Sequence, residues 1–425
     1  MNKAPVSNVS LYECGTYHRQ NNTESVCWNS TGTLLASSTP SGVKLWNCPP
    51  FGSDLISANT TTNNSSSSSG SAPTLLREYL TLDHRNPVRD VRFHPLDSNL
   101  LCSNVKNGTI QIWDIRSRNT CGRPVDKIHL KSSSTHFAST MEWIGGYRHY
   151  QHQHHPRGGR GAVVSGDVAS SSHHLLIGEM DDSLHVYDLR KLQQPSNNQK
   201  QQQQQSQASS SVPIQSFNYS PHELTGAQFT PSGTHLISAI KNDDNKMGCL
   251  IVHPLKQSDL LSKQLSKKNN DVNEMLSTAA AYQFIGHCSK IYSIRFSPNG
   301  QYMATGGNDA LVALWDIQSM TCTSTITRRH KSIRSLSFSH DSKLLACCSE
   351  EDGIDISYAH SGELIANINI SRSGKNVNLQ YGGADEIAFH PKSYLLACAR
   401  GRDPRELGAQ VPFVTIAKVQ DVFKV

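Results

Sequence analysis

The sequence predicts an all-β protein, a β-propeller of seven four-stranded sheets closed into a ring and interrupted by long disordered polar inserts. Three observations carry that prediction. A unit of alternating strand, polar turn, apolar strand, turn and third strand recurs along the chain. The third strand of the clearest unit is apolar on both faces, so it needs cover on both sides. Where the spacing between units lengthens, the extra residues are low in complexity and too polar to build a core of their own.

The clearest unit is IYSIRFSPNGQYMATGGNDALVALWD, from Ile291 to Asp316. Close copies run from Val88 to Asp114 and from Ile333 to Tyr358. Weaker ones run from Val26 to Trp46, from Ala227 to Ile240 and from Ile387 to Arg400. One more joins the strand around Trp143 to the segment from Leu175 to Asp188. Each first strand ends in an aromatic: Trp28, Phe93, Trp143, Phe229, Phe296, Phe338 and Phe389, which sets the count at seven. The shortest step, Phe296 to Phe338, is 42 residues, within the ~40–45 of WD repeats.

Elementary packing explains the ring. In the first strand of the clearest unit, Tyr292, Ile294 and Phe296 share one face while Ser293 and Arg295 share the other, the period of a strand. The segment from Ala310 to Trp315 is apolar throughout. A four-stranded sheet cannot cover both its faces alone, but a sheet stacked between two neighbours can, so the stack must close on itself. The N-terminal strand near Val9 to Glu13 is expected to complete the last sheet beside Val414 to Val419, which removes exposed edges.

One domain is expected, over residues 8–420, with inserts at 52–74, 145–172, 193–211 and 256–278. These hold a serine run, a His- and Gly-rich tract, a glutamine run and a basic polar tract, and they dilute the composition to 36% hydrophobic and 17% charged residues. The net charge of +6 is a mild basic bias, below that of a dedicated DNA-binding domain. The 11 cysteines include no CxxC pair, which fits reduced thiols in an intracellular protein rather than a disulfide framework or zinc site. The N-terminal residues lack the apolar core of a signal peptide, and no run reaches the ~18 apolar residues of a membrane span, so no membrane partner is expected.

His287, Thr305, Asp309 and Trp315 resemble a hydrolase constellation, but their recurrence points to structure. His84, Ser103, Asn107 and Trp113 repeat the pattern one way, and His330, Asp352 and Tyr358, with Cys348 in place of the hydroxyl, repeat it another. Such a chain satisfies buried polar groups and stiffens a sheet. Enzyme motifs fail in detail. His222-Glu223 opens like a zincin helix, but Gly226 stands where the second histidine is needed, and Gly374-Lys375 is followed by Asn376 where a phosphate loop needs Ser or Thr. The His149 to His155 tract lies in an insert without fixed geometry. No catalytic residue, cofactor or metal is expected.

Two sets of candidate binding residues remain. Arg89, Tyr292 and Arg334 each stand four residues before an anchoring aromatic. Equivalent positions in successive sheets gather at one mouth of the central channel, and Arg and Tyr are enriched at interface hot spots. Arg157 and Arg160, in an RGG-like element, and Lys267 and Lys268, near Lys263, are candidate RNA contacts.

A more particular resemblance lies in the segments from Gly300 to Cys322 and from Ile333 to Ile356. The runs DALVALWD, from Asp309 to Asp316, and LSFSHD, from Leu336 to Asp341, resemble the THO complex subunit three family beyond the general WD pattern. The segment from Ala388 to Lys392 is similar too. The resemblance implies a non-catalytic scaffold subunit of the THO/TREX assembly in the nucleus, coupling transcription to mRNA packaging and export. It implies docking on large helical THO subunits and, through them, an indirect link to a DEAD-box RNA helicase. The alternatives are a WD-repeat scaffold of another nuclear assembly, chromatin-modifying or ubiquitin-ligating, and a propeller that binds RNA directly.

Overall fold

Alternation of apolar residues with short polar turns produces strands of three to seven residues throughout. The computed structural model describes residues 10–13, 24–48, 77–116, 123–130, 137–144, 174–189, 213–254, 282–351, 353–368, 383–399 and 414–418. The four inserts lie outside these ranges. Among the described residues there is no α-helix.

The N-terminal strand is β1 (Ser10–Glu13). The first consecutive sheet is β2 (Val26–Trp28), β3 (Leu34–Thr39), β4 (Gly42–Asn47) and β5 (Arg77–Asp83). The next is β6 (Val88–Phe93), β7 (Leu100–Val105), β8 (Thr109–Asp114) and β9 (Asp126–His129). Then come β10 (Thr140–Trp143), β11 (His174–Gly178), β12 (Ser183–Asp188) and β13 (Gln215–Asn218). The fourth holds β14 (Glu223–Phe229), β15 (His235–Lys241), β16 (Gly248–Pro254) and β17 (Tyr282–His287). The fifth holds β18 (Ile291–Phe296), β19 (Tyr302–Gly307), β20 (Val312–Asp316) and β21 (Thr321–Ile326). The sixth holds β22 (Ile333–Phe338), β23 (Leu344–Ser349), β24 (Ile354–Tyr358) and β25 (Leu364–Ile368). β26 (Glu386–Phe389), β27 (Leu395–Ala399) and β28 (Val414–Lys418) make a seventh sheet whose outer strand is β1. Six sheets are thus built from consecutive strands, and one borrows the N-terminus, with Ser10 opposite Lys418 and Glu13 opposite Thr415.

The core lies between sheets, as two-faced apolar strands require. Each of seven hydrophobic clusters draws on two successive sheets. One of them joins Val26, Trp28, Leu35 and Trp46 of the first consecutive sheet to Leu395, Ala397 and Ala399 of the last, and so closes the circle. Fully burying one large aliphatic side chain contributes about 1.5–3 kcal/mol, and Leu35, Leu101, Leu175, Leu236, Leu314, Leu345 and Leu396 are each fully buried.

The innermost strands β2, β6, β10, β14, β18, β22 and β26 touch in sequence, and β26 returns to β2. No ladder joins them, so side chains carry the polar contacts from sheet to sheet. Ser335 and Ser337 on β22 accept the backbone N–H groups of Ile387 and Phe389 on β26. Glu386 accepts that of Val26, and Ser25 that of Val91. The residues one and three before each anchoring aromatic therefore face the axis.

Candidate interaction site at the channel mouth

Four innermost strands carry a β-bulge near their start. Pairing passes from Val88 to Asp90, from Leu224 to Gly226, from Ile291 to Ser293 and from Ile333 to Ser335. The residues skipped are Arg89, Thr225, Tyr292 and Arg334. A bulge inserts one unpaired residue and re-aims its side chain, which suits a binding rim better than a regular ladder does. The offset of four from the aromatic marks three of these positions in the sequence. Thr225 has the same offset, but its short side chain gave no chemical signal.

Around the mouth, the structure brings Tyr292 and Arg334 together, with the guanidinium 5.0 Å from the ring centre. Lys290 Nζ lies 5.7 Å from the same ring. Arg334 also pairs with Glu350, and Lys290 with Glu223. Arg89 is exposed and stacks on Phe137 at 5.9 Å. The mouth therefore offers a cation-flanked aromatic on one side and an arginine–phenylalanine pair on the other. Burial raises the pKa of the Glu24 carboxyl despite the opposing pull of Arg89, and Asp385 and Asp90 add to the rise.

Below the rim lies an ionic network that the sequence reading did not identify. Arg92 contacts Glu386 at 2.7 Å, Asp90 at 3.0 Å and Glu142 at 3.8 Å. Arg295 approaches the same Glu386 at 3.5 Å. These residues come from β6, β10, β18 and β26, so the network spans the channel. Burial drives the Asp90 and Glu142 carboxyls above their ordinary range, more than the Arg92 charge lowers them. Burial acts on Glu386 in the same direction, but Arg92 and Arg295 together hold it low. The signal was charged residues one or three before the anchoring aromatic.

The candidate structural network is resolved in two forms. In the fifth sheet Trp315 Nε1 donates to Thr305 Oγ1 at 2.9 Å, Thr305 Oγ1 meets His287 Nε2 at 2.8 Å, and His287 Nδ1 meets Asp309 at 3.0 Å. Burial opposes ionisation of Asp309, yet its bonds from His287, Leu311 and Cys288 lower its pKa. In the second sheet Trp113 Nε1 donates to Ser103 Oγ at 3.1 Å and His84 Nε2 lies 2.9 Å from it. Asn107 does not take the place of Asp309. It accepts from Thr109, and His84 Nδ1 instead donates to the Leu82 carbonyl at 2.8 Å.

The sixth sheet corrects the expected pattern further. Cys347, opposite Leu336 and Asp355, occupies the position of Thr305, which lies opposite Ile294 and Ala313. Cys348 is one residue along and so faces the other way; its thiol donates to the Ser335 and Ala384 carbonyls. His330 and Tyr358 are exposed, and Asp352 lies outside the described residues. Their place is taken by Arg329, which forks onto Asp355 at 2.8 and 3.0 Å. The fourth sheet carries a variant the sequence did not suggest, with Tyr219 Oη between Ser238 at 2.6 Å and His253 at 3.0 Å. Arg157, Arg160, Lys263, Lys267, Lys268 and the His149–His155 tract lie outside the described residues.

The repeated four-stranded unit has a counterpart among known proteins. The WD domain, G-beta repeat family matches residues 76–114, 280–316 and 320–354. The chain carries WD repeats. Among WD-repeat relatives, it is 23% identical to THO complex subunit 3 of Arabidopsis thaliana, over 88% of this chain and 85% of that one. It is 25% identical to WD repeat-containing protein AAC3 of Dictyostelium discoideum, over 75% of this chain but 51% of the relative. It is also 23% identical to mitotic checkpoint protein bub-3 of Caenorhabditis elegans, over 62% of this chain and 59% of that one. WD-repeat propellers are typically non-catalytic scaffolds for protein interaction.

Proposed function

We propose that this WD-repeat protein is a seven-bladed, non-catalytic scaffold whose bulged mouth docks a protein partner in a nuclear THO-type assembly that couples transcription to mRNA packaging and export. The observation that carries the docking surface is the Arg334–Tyr292 pair at 5.0 Å beside the exposed Arg89, all three on bulges at one end of the channel. Arginine and tyrosine held in fixed positions give large contact area at low entropic cost. Likeness to the Arabidopsis THO subunit along 88% of the chain supports this choice of assembly. The partners proposed are the large helical THO subunits, with the DEAD-box helicase reached through them.

The test is affinity purification from nuclear extract. The tagged wild type is expected to recover the large THO subunits, and Arg89→Glu with Arg334→Glu together is expected to lose them. Unchanged recovery by the double variant ends the docking proposal, and recovery of an unrelated assembly ends the THO assignment. The similar identity to AAC3 and bub-3 makes a WD-repeat scaffold of another assembly the second reading, separated by the same purification.

A further inference from the structure

The ionic network in the channel is unbalanced. Asp90, Glu142 and Glu386 supply three carboxylates against the two guanidiniums of Arg92 and Arg295. When all three are ionised, one negative charge is unmatched within it. The side chains nevertheless keep 10% exposure at Glu386, 14% at Arg92, 19% at Asp90, 25% at Glu142 and 28% at Arg295. Protein surrounds them, and each keeps some contact with solvent, as in a narrow polar channel.

The imbalance coincides with open space and with acceptors that lack donors. Gly226 occupies the axis-facing position on β14 that Asp90 occupies on β6 and Glu386 on β26. A Cβ built there meets nothing within 4 Å. Gln228, two residues along on the same face, buries Oε1 without a hydrogen-bond donor among the described residues. Ser293, on the neighbouring strand β18, is 5% exposed and buries Oγ in the same state. Its counterparts Ser25 and Ser335 each accept a backbone N–H from the next sheet. A buried acceptor without a donor destabilises the free protein, and an unmatched charge in a confined site adds to that.

We infer that the space beside Gly226 receives one basic side chain, a lysine or arginine, from the protein partner that docks at the mouth. The inference rests on the reading of that mouth as a partner-binding surface. Such a side chain supplies the missing positive charge and brings N–H donors to Gln228 and Ser293. Its path begins directly below Thr225, the bulge residue that precedes Gly226. An acidic or neutral residue would leave the charge unmatched. An arginine has the longer reach and the larger number of donors.

The test uses the full chain and three blocked tripeptides, acetyl-Gly-Arg-Gly-amide, acetyl-Gly-Lys-Gly-amide and acetyl-Gly-Gln-Gly-amide, titrated by ligand-observed NMR. At least one cationic peptide is expected to bind saturably, and the glutamine peptide at least tenfold more weakly. Gly226→Leu fills the space without a strained backbone, and Glu142→Gln removes the unmatched charge. Each is expected to weaken the cationic peptide at least tenfold while thermal melting shows a folded protein. Absence of saturable binding by both cationic peptides, or equal binding by wild type and both variants, overturns the proposal. If the channel variants bind peptide unchanged while Arg89→Glu with Arg334→Glu loses the large subunits, the channel proposal falls and the mouth stands. If the peptide behaves as expected while the double variant keeps its subunits, the mouth reading falls instead.

Discussion

Trp28 Nε1 donates to the carbonyl oxygen of Ala388 at 3.1 Å, although 360 positions separate the two residues. The bond crosses the seam where the first consecutive sheet meets the last. Trp143 makes the same bond to Arg92 at 3.2 Å, one sheet further round than Phe93. The five phenylalanines at the other anchoring positions have no N–H to offer. At the seam a second bond lies alongside, from His390 Nε2 to the Gly32 carbonyl at 2.9 Å. Gly32 has a φ of +77°, and a Cβ there would lie 2.1 Å from His390 Nε2. Trp28→Phe should therefore lower stability by about 0.5–1.5 kcal/mol, the net value of one hydrogen bond. Trp28→Ala should cost about 3–5 kcal/mol, as large-to-small core changes do. Gly32→Ala should fall between these, from strain and a displaced imidazole. Urea unfolding midpoints check the order, and a neutral Trp28→Ala would show that the seam does not hold the ring.

The direction of the Thr305 network fixes a second expectation. Asp309 accepts from His287 Nδ1–H, His287 Nε2 lies 2.8 Å from the Thr305 hydroxyl, and that hydroxyl accepts from Trp315 Nε1–H. Ser103 serves His84 and Trp113 in the same way. Thr305→Ser should be tolerated, because a serine hydroxyl already does this work in the second sheet. Thr305→Val leaves two buried polar groups without partners and should destabilise by about 1–3 kcal/mol. Chemical unfolding of the two variants side by side measures the difference, and equal midpoints would remove the network from the account of stability.

Burial lowers the pKa of His84, His253, His340 and His390 from the ordinary value of 6.5. The folded state holds them neutral at a pH where the unfolded chain binds protons. Stability rises with pH wherever the unfolded state carries more protons. The contribution of these histidines is therefore complete above the unfolded value and is lost as pH falls below 6.5 toward the lower folded values. Asp309, whose folded pKa is depressed below 3.8, adds a further loss at more acid pH. The buried carboxyls Asp90 and Glu142, with raised pKa, act in the opposite direction, so the histidine contribution is read by difference in unfolding midpoints: from pH 8 down to 4, His390→Gln should lose less stability below 6.5 than the wild type does. Equal slopes in the wild type and His390→Gln would contradict the assignment of a neutral imidazole at His390.

The repeat unit was legible because anchoring aromatics and two-faced strands are local properties of a strand, and stacking follows from them. The bulged positions of Arg89, Tyr292 and Arg334 were legible through a fixed offset from the aromatic, since a bulge belongs to one strand pair. What failed depended on one-residue register or on distant partners. Cys347 and Cys348 are adjacent and equally apolar in character, and only the pairing with Asp355 shows which one replaces Thr305. Asn107 resembled Asp309 in chemistry, but His84 found the nearer Leu82 carbonyl. Arg92 and Glu386 stand 294 positions apart, and nothing local announces that a closed ring will set them 2.7 Å from each other.

Thiol reactivity tests the stacking itself. Cys288 and Cys322 are exposed, whereas Cys102, Cys347 and Cys348 are buried between sheets. Burial pushes the Cys347 thiol up to about 12, with Asp355 adding to the rise, and pushes Cys102 and Cys348 well above 9.0 as well. The thiolate is the reacting species, so at pH 8 a thiol near 12 presents about one part in ten thousand in reactive form. Native treatment with N-ethylmaleimide, followed by peptide mass spectrometry, should modify Cys288 and Cys322 within minutes and leave Cys102, Cys347 and Cys348 intact. Denaturation in urea should then expose all five together, because opening one sheet uncovers its neighbours. If Cys347 is labelled in the native protein as fast as Cys288, the fifth and sixth sheets are not stacked, and the reason for closing the ring disappears with that contact.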